Sequence, residues 1–309
     1  MAEVWTVKSI LDWCCDYLDR HGDAQPRLSA QWLLSEATGL SRIELYTNLE
    51  RPLSMDERSR MRDWVKRRGE GQPLQLIVGT APFRYLTLQV APNVLIPRPE
   101  TEVLVSEALQ KLNLPKVCAR VEVDEEGEHV VDSSLPSLSV LDLCTGSGCI
   151  ACSIASEYPA SSVVATDISP DALALAQKNV DSLGLSQRVT VRESNLFEAL
   201  LPECSECFDL VISNPPYVPT AVCETLDKEV REFEPLLALD GGPDGLAVFR
   251  AMLEGMYVSL KPGGLFALEL FEDHMNQAAQ LALQFGFIDV EIRKDLAGKE
   301  RILLGKKPE

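Results

Sequence analysis

The sequence predicts a doubly wound α/β domain preceded by a small helical bundle, and three observations carry that prediction. From residue 138 onward, apolar runs of strand length alternate with helical patterns, as in a parallel sheet covered on both faces. The first run, Leu138–Leu143, leads through the turn Cys144-Thr145-Gly146-Ser147-Gly148 into a helical stretch at Ile150–Tyr158. The second, Val163–Asp167, ends in an acid 21 residues after Gly146. A glycine turn between strand and helix lets a ligand approach the backbone, and an acid at that distance suits ribose hydroxyls.

The chain begins with helices. Ile10, Leu11, Cys14, Tyr17 and Leu18 form one apolar stripe, and Leu28, Trp32, Leu33 and Ala37 form a second, stopped by Gly39. Ser41-Arg-Ile-Glu44 reads as a capping box, and Ser54-Met-Asp-Glu57 opens a fourth helix through Met61, Trp64 and Val65 to Gly69. The basic run Arg58 to Arg68 reads as a solvated helix face, with a docking surface as the alternative. From Gln75 to Val90 the period shortens. Leu76-Ile-Val78, then Phe83 to Leu88, flank Gly79-Thr-Ala-Pro82 and predict a β-hairpin. These patterns divide the chain into a helical segment at 1–73 for substrate docking, a hairpin linker at 74–95 and an α/β domain at 96–309. Pro99 opens a helix through Val103, Leu104 and Leu109, and Arg98, between two prolines, is either a surface charge or a positioned donor. An acidic insertion at about 116–136, with Asp124-Glu-Glu-Gly127-Glu at its centre, reads as a solvated hairpin.

Beyond Asp167, Ser169-Pro170-Asp171 caps the next helix. Val189–Glu193 is a third strand, followed by Ser194-Asn195-Leu196-Phe197. Phe208–Ser213 is a fourth and runs into Asn214-Pro215-Pro216-Tyr217. Two prolines stiffen this bend and remove two N–H donors, leaving carbonyl acceptors between an Asn side chain and an aromatic ring. Such a bend suits a flat –NH2 group, although an isolated Asn-Pro-Pro is more often a plain turn. Lys261-Pro-Gly-Gly264 predicts a tight turn into a fifth strand, Leu265–Leu270. Ile288–Arg293 and Arg301–Leu304, joined by a turn at Leu296–Lys299, complete the pattern. Gly146-Ser-Gly148-Cys-Ile-Ala151 also fits the dehydrogenase pattern G-x-G-x-x-A, which the turn alone does not exclude.

Composition narrows the classes. The net charge of −18 argues against a broad phosphate-binding surface, and residues 1–70 are nearly neutral, with 11 basic against 12 acidic side chains. No apolar run reaches the ~18 residues of a membrane span, and the first residues lack the pattern of a signal peptide. A cytoplasmic enzyme is the expectation. Nine cysteines, an odd count, read as reduced thiols, and the lone Cys204-Ser-Glu-Cys207 lacks the second pair or nearby histidines of a zinc site, so no metal is expected.

Asp142-x-Cys144-Thr-Gly-Ser-Gly148, Asp167 and Asn214-Pro-Pro-Tyr217, in that order, resemble the amino-methyltransferases, and the closing strand pair resembles the class I S-adenosylmethionine-dependent methyltransferase fold, a seven-stranded sheet with an antiparallel end. With Leu95-Ile-Pro-Arg-Pro-Glu-Thr-Glu102, Phe233-Glu-Pro235 and Asp240-Gly-Gly-Pro-Asp-Gly245, nearly the whole chain is similar to the HemK/PrmC family, the protein-(glutamine-N5) methyltransferases. The resemblance implies methyl transfer from S-adenosylmethionine to the glutamine side-chain nitrogen of the GGQ motif in peptide chain release factors, with neither nucleic acid nor membrane as partner. It implies that Cys144, Thr145, Gly146, Ser147 and Gly148 form the cofactor turn, that Asp167 binds the ribose, and that Asn195 and Leu196 line the adenine pocket. Asn214 would border both ligands. Asn214, Pro215, Pro216 and Tyr217 would hold the glutamine, with Asn214 Oδ1 and the Pro215 carbonyl accepting its amide hydrogens and Tyr217 packing on the amide plane. Three positions depart from the family. Cys144 replaces the first turn glycine, so no positive φ is expected there; Asn195 replaces a common Asp; and Phe271 replaces a glycine after Glu269-Leu270, with a local loop change and no loss of activity expected. The rivals are a ribosomal-protein glutamine methyltransferase, an adenine-N6 nucleic-acid methyltransferase and a non-catalytic adaptor on the same fold.

Overall fold

The computed structural model describes residues 4–114, 122–123, 129–130, 135–201 and 204–309. The chain forms two compact units, one holding residues up to Thr80 together with Asp227–Phe233, the other holding Ala81–Leu226 and Glu234–Glu309. In the first unit lie α1 (Val7–Arg20), α2 (Pro26–Thr38), α3 (Arg42–Thr47), α4 (Met55–Gly69) and α5 (Leu74–Val78). Capping boxes open α1, α3 and α4 from Thr6, Ser41 and Ser54. The buried face of α2 is Ala30, Leu33, Leu34 and Ala37, while Leu28 of the expected stripe is exposed. Arg67 and Arg68 of the basic run are committed internally, Arg68 bridging Asp23 and Glu229, whereas Arg60, Arg62 and Lys66 are solvated.

The expected strand at Leu76-Ile-Val78 is instead α5. A short apolar run carries no decisive period, and here Ile77 and the half-buried Leu74 and Val78 complete the bundle's core. Gly79 (φ 85) ends the helix in the left-handed conformation. The hairpin begins two residues later, as β1 (Thr80–Phe83) and β2 (Leu86–Gln89).

The second unit continues with α6 (Pro99–Lys111), β3 (Glu122–Val123), β4 (His129–Val130), β5 (Leu138–Leu143), α7 (Cys149–Glu157), β6 (Ser161–Asp167), α8 (Pro170–Ser182), β7 (Val189–Glu193), β8 (Phe208–Ser213) and α9 (Thr220–Cys223). After α10 (Lys228–Phe233), which belongs with the first unit, come α11 (Ala247–Ser259), β9 (Leu260–Glu269), α12 (Met275–Phe285), β10 (Ile288–Lys294) and β11 (Glu300–Lys306). β3 and β4 pair as the short hairpin expected in the acidic insertion, whose centre at 124–128 lies outside the described residues.

Seven strands form one sheet in the order β10-β11-β9-β8-β5-β6-β7. β5 to β9 run parallel, and β11 and β10 close the sheet antiparallel, which is the class I methyltransferase fold. Alternate residues face two apolar layers. Val140, Ile212 and Ala267 meet the side of α6 and α7, while Leu141, Val211 and Leu268 meet that of α11 and α12. Burial on both sides explains the near-continuous apolar runs of β5 and β8.

Lys261–Gly264, expected as a turn before β9, is a bulge within it. Phe208 pairs with Leu260, then Leu210 with Leu265. A Cβ at Gly264 would stand 2.8 Å from the Lys261 carbonyl oxygen, so the bulge closes only around glycine. Cys204 and Cys207, expected as thiols, are joined by a disulfide, their positions three apart closing a small loop before β8.

Candidate active site

The sheet order makes β5 the switch point. From it the chain proceeds through β6 and β7 on one side and through β8 and β9 on the other, and ligands in open α/β sheets bind outside the carboxyl ends at such a point. Register aligns those ends. Leu143 pairs with Thr166 and Ser213, and Ser213 with Leu268, so Cys144, Asp167, Asn214 and Glu269 leave the sheet side by side. A cavity of about 650 Å³ opens there, walled by the turn after β5, the end of β6, the loop after β7, the start of the Asn-Pro-Pro-Tyr motif and the segment 93–98.

Asp142 organises the turn. It is fully buried, and its Oδ2 accepts from the Thr145 hydroxyl (2.5 Å) and the Ala151 N–H (3.1 Å). Burial pushes its carboxyl up to about 7, and its Oδ1 has no hydrogen-bond partner among the described residues. The Thr145 N–H donates to the Thr166 carbonyl and the Gly146 N–H to Asp167 Oδ2, which bends the chain sharply out of β5. Cys144 therefore has φ 55, contrary to the expectation from its side chain; the turn imposes the left-handed conformation, at a cost of about 1–2 kcal/mol. Burial pushes its thiol up to about 12, so it is no nucleophile at neutral pH. At Gly148 (φ 79) a Cβ would stand 3.2 Å from Ala176 Cβ and 3.3 Å from Ala176 Cα, so glycine lets α8 pack against the turn.

Asp167 is held at both oxygens, by Gly146 N–H on Oδ2 and Ser169 N–H on Oδ1, each at 2.9 Å. Each oxygen keeps a lone pair for a ligand hydroxyl. Asn195 and Leu196 also line the cavity. Asn195 Nδ2 donates to Glu198, and Leu196 has φ 50, held where the Ser194 hydroxyl donates to its carbonyl.

Of the Asn-Pro-Pro-Tyr motif, Asn214 and Pro216 line the cavity, whereas the side chains of Pro215 and Tyr217 are not in its lining. Asn214 Nδ2 donates to Thr101 Oγ1 (3.0 Å), and the Thr101 hydroxyl donates to Glu269 Oε2 (2.7 Å). The Tyr217 hydroxyl donates to Glu269 Oε1 (2.8 Å), and its ring packs against the apolar layer of α11 and α12. Tyr217, expected against the amide plane, is not in the cavity lining, and its hydroxyl is committed to a buried acid. Burial raises the Glu269 carboxyl above the usual range, while the two hydroxyl donors and the nearby Arg301 pull it down. No hydrogen bond reaches the Pro215 carbonyl among the described residues. The Arg98 guanidinium contacts Glu234 at 2.5 Å, and the Glu234 side chain is only 2% exposed. Arg98 is therefore a positioned donor on the cavity wall.

Sequence reasoning gave Thr101 and Glu269 no role. The available signal for Glu269 was an acid at the carboxyl end of an otherwise apolar strand. Thr101 carried none, because its partners come from two distant strands.

Comparison with known proteins gives the family. Residues 9–79 match the PrmC N-terminal domain family and residues 109–231 the methyltransferase small domain family. A release factor glutamine methyltransferase of Geobacter sulfurreducens is 41% identical over 98% of this chain and 98% of its own. One from Rhodopirellula baltica is 41% identical over 97% of this chain and 95% of its own, and one from Caulobacter vibrioides is 38% identical over 99% and 96%. Relatives 38–41% identical and matched along nearly their full length show that the chain belongs to the release factor glutamine methyltransferase family.

Proposed function

We propose that the protein transfers a methyl group from S-adenosylmethionine to the side-chain nitrogen of a glutamine, that of the GGQ motif, in peptide chain release factors. The observation that carries this reading is the Asn214 amide, turned with its –NH2 toward Thr101, on the same cavity wall as the Cys144–Gly148 turn and Asp167.

The residues present fit the cofactor. Asp167, anchored twice by backbone N–H groups, would hold the ribose hydroxyls; the turn from Cys144 to Gly148, with left-handed Gly146 and Gly148, leaves room against its backbone; and Leu196 and Ile168 supply apolar surface for a flat ring beside Asn195. When bound, S-adenosylmethionine supplies a methyl group on a sulfonium, a strong electrophile. A glutamine nitrogen is a weak nucleophile, because its lone pair is shared with the carbonyl, so alignment is what the protein must provide. Asn214 Oδ1 accepts one hydrogen of the substrate amide and the Pro215 carbonyl, whose neighbour Pro216 has no N–H, accepts the other. Both acceptors raise electron density on the nitrogen and fix its direction. No general base is required before transfer, since the proton leaves once the nitrogen is positive.

A protein substrate is also consistent with the acidity of residues 71–309, which disfavours a nucleic-acid surface, and the nearly neutral helical unit is the docking element. Among the described residues no helix is long and apolar enough to cross a membrane, and the reaction belongs with translation in the cytoplasm. Incubation with a radiolabelled methyl donor and separate pools of release factor, ribosomal protein and DNA tests the reading. Label is expected in release factor; label confined to either other pool would replace it.

A further inference from the structure

We infer that Thr101 and Glu269 are positioning residues that decide which end of the Asn214 amide meets the substrate, an inference that rests on the glutamine methyltransferase reading. An Asn side chain can present either an oxygen or an –NH2 group, two ends of nearly equal size and shape. Only the oxygen can accept a hydrogen from an incoming amide; the other end sets donor against donor. Something must hold the side chain one way round.

The hydrogen-bond chain behind the cavity does this. Asn214 Nδ2 lies 3.0 Å from Thr101 Oγ1, which lies 2.7 Å from Glu269 Oε2. A hydroxyl has one proton, and a carboxylate has none to give. The Thr101 proton therefore points at Glu269, and only lone pairs face Asn214. Those lone pairs accept from Nδ2 and repel Oδ1, so the amide oxygen turns away from Thr101. Glu269 is fixed at its other oxygen by the Tyr217 hydroxyl at 2.8 Å and is 1% exposed, so water does not compete for it. Proton order then runs inward from both sides, from Asn214 through Thr101 and from Tyr217, to one buried acid. Three strand or helix ends supply it: Thr101 from the first turn of α6, Asn214 after β8 and Glu269 closing β9. Tyr217 thereby supports the site through its hydroxyl, a role distinct from stacking on the substrate.

Two opposed substitutions at one position separate positioning from packing. Thr101→Ser keeps the hydroxyl and loses a methyl; Thr101→Val keeps the shape and loses the hydroxyl. Positioning predicts that Thr101→Ser retains kcat within about threefold, while Thr101→Val lowers kcat by about 30-fold or more with cofactor Kd unchanged. Glu269→Gln, which can place an –NH2 toward Thr101 and reverse the proton order, is expected to lower kcat similarly. The reverse ranking, with Val active and Ser impaired, overturns the inference, as does full activity of Glu269→Gln. A second readout needs no substrate. The Asn214 side-chain amide, followed by nitrogen-15 NMR of the whole protein, is expected to show one hydrogen protected from solvent exchange in wild type and Thr101→Ser and lost in Thr101→Val. Equal exchange in all three refutes the inference even if methyl transfer proceeds. If release factor takes no label but the exchange pattern holds, the substrate reading fails and the positioning of Asn214 stands.

Discussion

The buried carboxyl of Asp142 gives a quantitative test of how the turn is built. Its ordinary value in an unfolded chain is about 3.9, and burial pushes it up to about 7 in the fold. Between those values the folded chain keeps a proton that the unfolded chain releases. The stability tied to this group is therefore full below the lower value, declines as pH rises and is lost above the upper one. A gap of about three units at about 1.4 kcal/mol each amounts to about 4 kcal/mol. Asp142→Asn preserves the shape and keeps an oxygen able to accept from Thr145 and Ala151, but it carries no titrating proton. From about pH 5.5 to about pH 8, wild type should lose about 2 kcal/mol from this group alone and the variant should not. Urea unfolding followed by far-ultraviolet circular dichroism, at both pH values and on both proteins, isolates the effect as a double difference. With an m value of about 3 kcal/mol/M for a unit of this size, the two midpoints should move apart by about 0.7 M. Parallel pH dependences in the two proteins would refute the reasoning, because they would mean that Asp142 is ionised in the fold across the whole range.

Three further outcomes are expected. Asn214→Ala removes the acceptor on the cavity wall but none of the turn, so kcat should fall about 100-fold or more while isothermal titration gives a cofactor Kd within about threefold of wild type; undiminished turnover removes the role assigned to that side chain. Gly148→Ala forces a side chain into the left-handed region and against Ala176, which should cost about 2–4 kcal/mol and weaken cofactor binding together, read from thermal unfolding and titration of the same samples. Arg68→Ala deprives Asp23, whose side chain is 3% exposed, of its charged partner and releases Glu229, so the helical unit should lose about 3 kcal/mol and trypsin should cut faster after Lys228 or Arg231.

The elements most readable from sequence were those with two independent signals. β5 and β8 have apolar runs closed by a turn signal, and their ends match the expected residues. α3 and α4 announce themselves through capping boxes, and α8 through Ser169 followed by Pro170. Where only one signal existed, tertiary context decided. Leu74–Val78 has strand-like composition, yet a bundle that lacks a wall takes it as a helix. The two glycine replacements show the same limit at single residues. Cys144 adopts φ 55 because hydrogen bonds from the next two residues to β6 force the turn. Phe271 has φ −69, an ordinary value, so its backbone tolerates any side chain. Sequence identifies both departures and cannot rank them, because what differs is the bonding of their neighbours.

The polar half of the site depends on register more than on any motif. Glu269 stands beside Asn214 only because Leu268 pairs with Ser213, and that pairing is set at the far end of the strand. There Phe208 faces Leu260, and the Lys261–Gly264 bulge takes up the extra residues before Leu265 meets Leu210. Side chains alternate across a sheet, so a slip of one residue would send Glu269 toward the opposite layer and put Leu268 or Leu270 behind Asn214. Thr101 would then have no acid to receive its proton, and nothing would bias the Asn214 amide. The glycine at position 264, where a Cβ would stand only 2.8 Å from the Lys261 carbonyl oxygen, thereby helps determine the direction of a hydrogen bond at the other end of the same strand. A motif read residue by residue places the acceptor, but the strand pairing beneath it determines which atom of that residue the substrate meets.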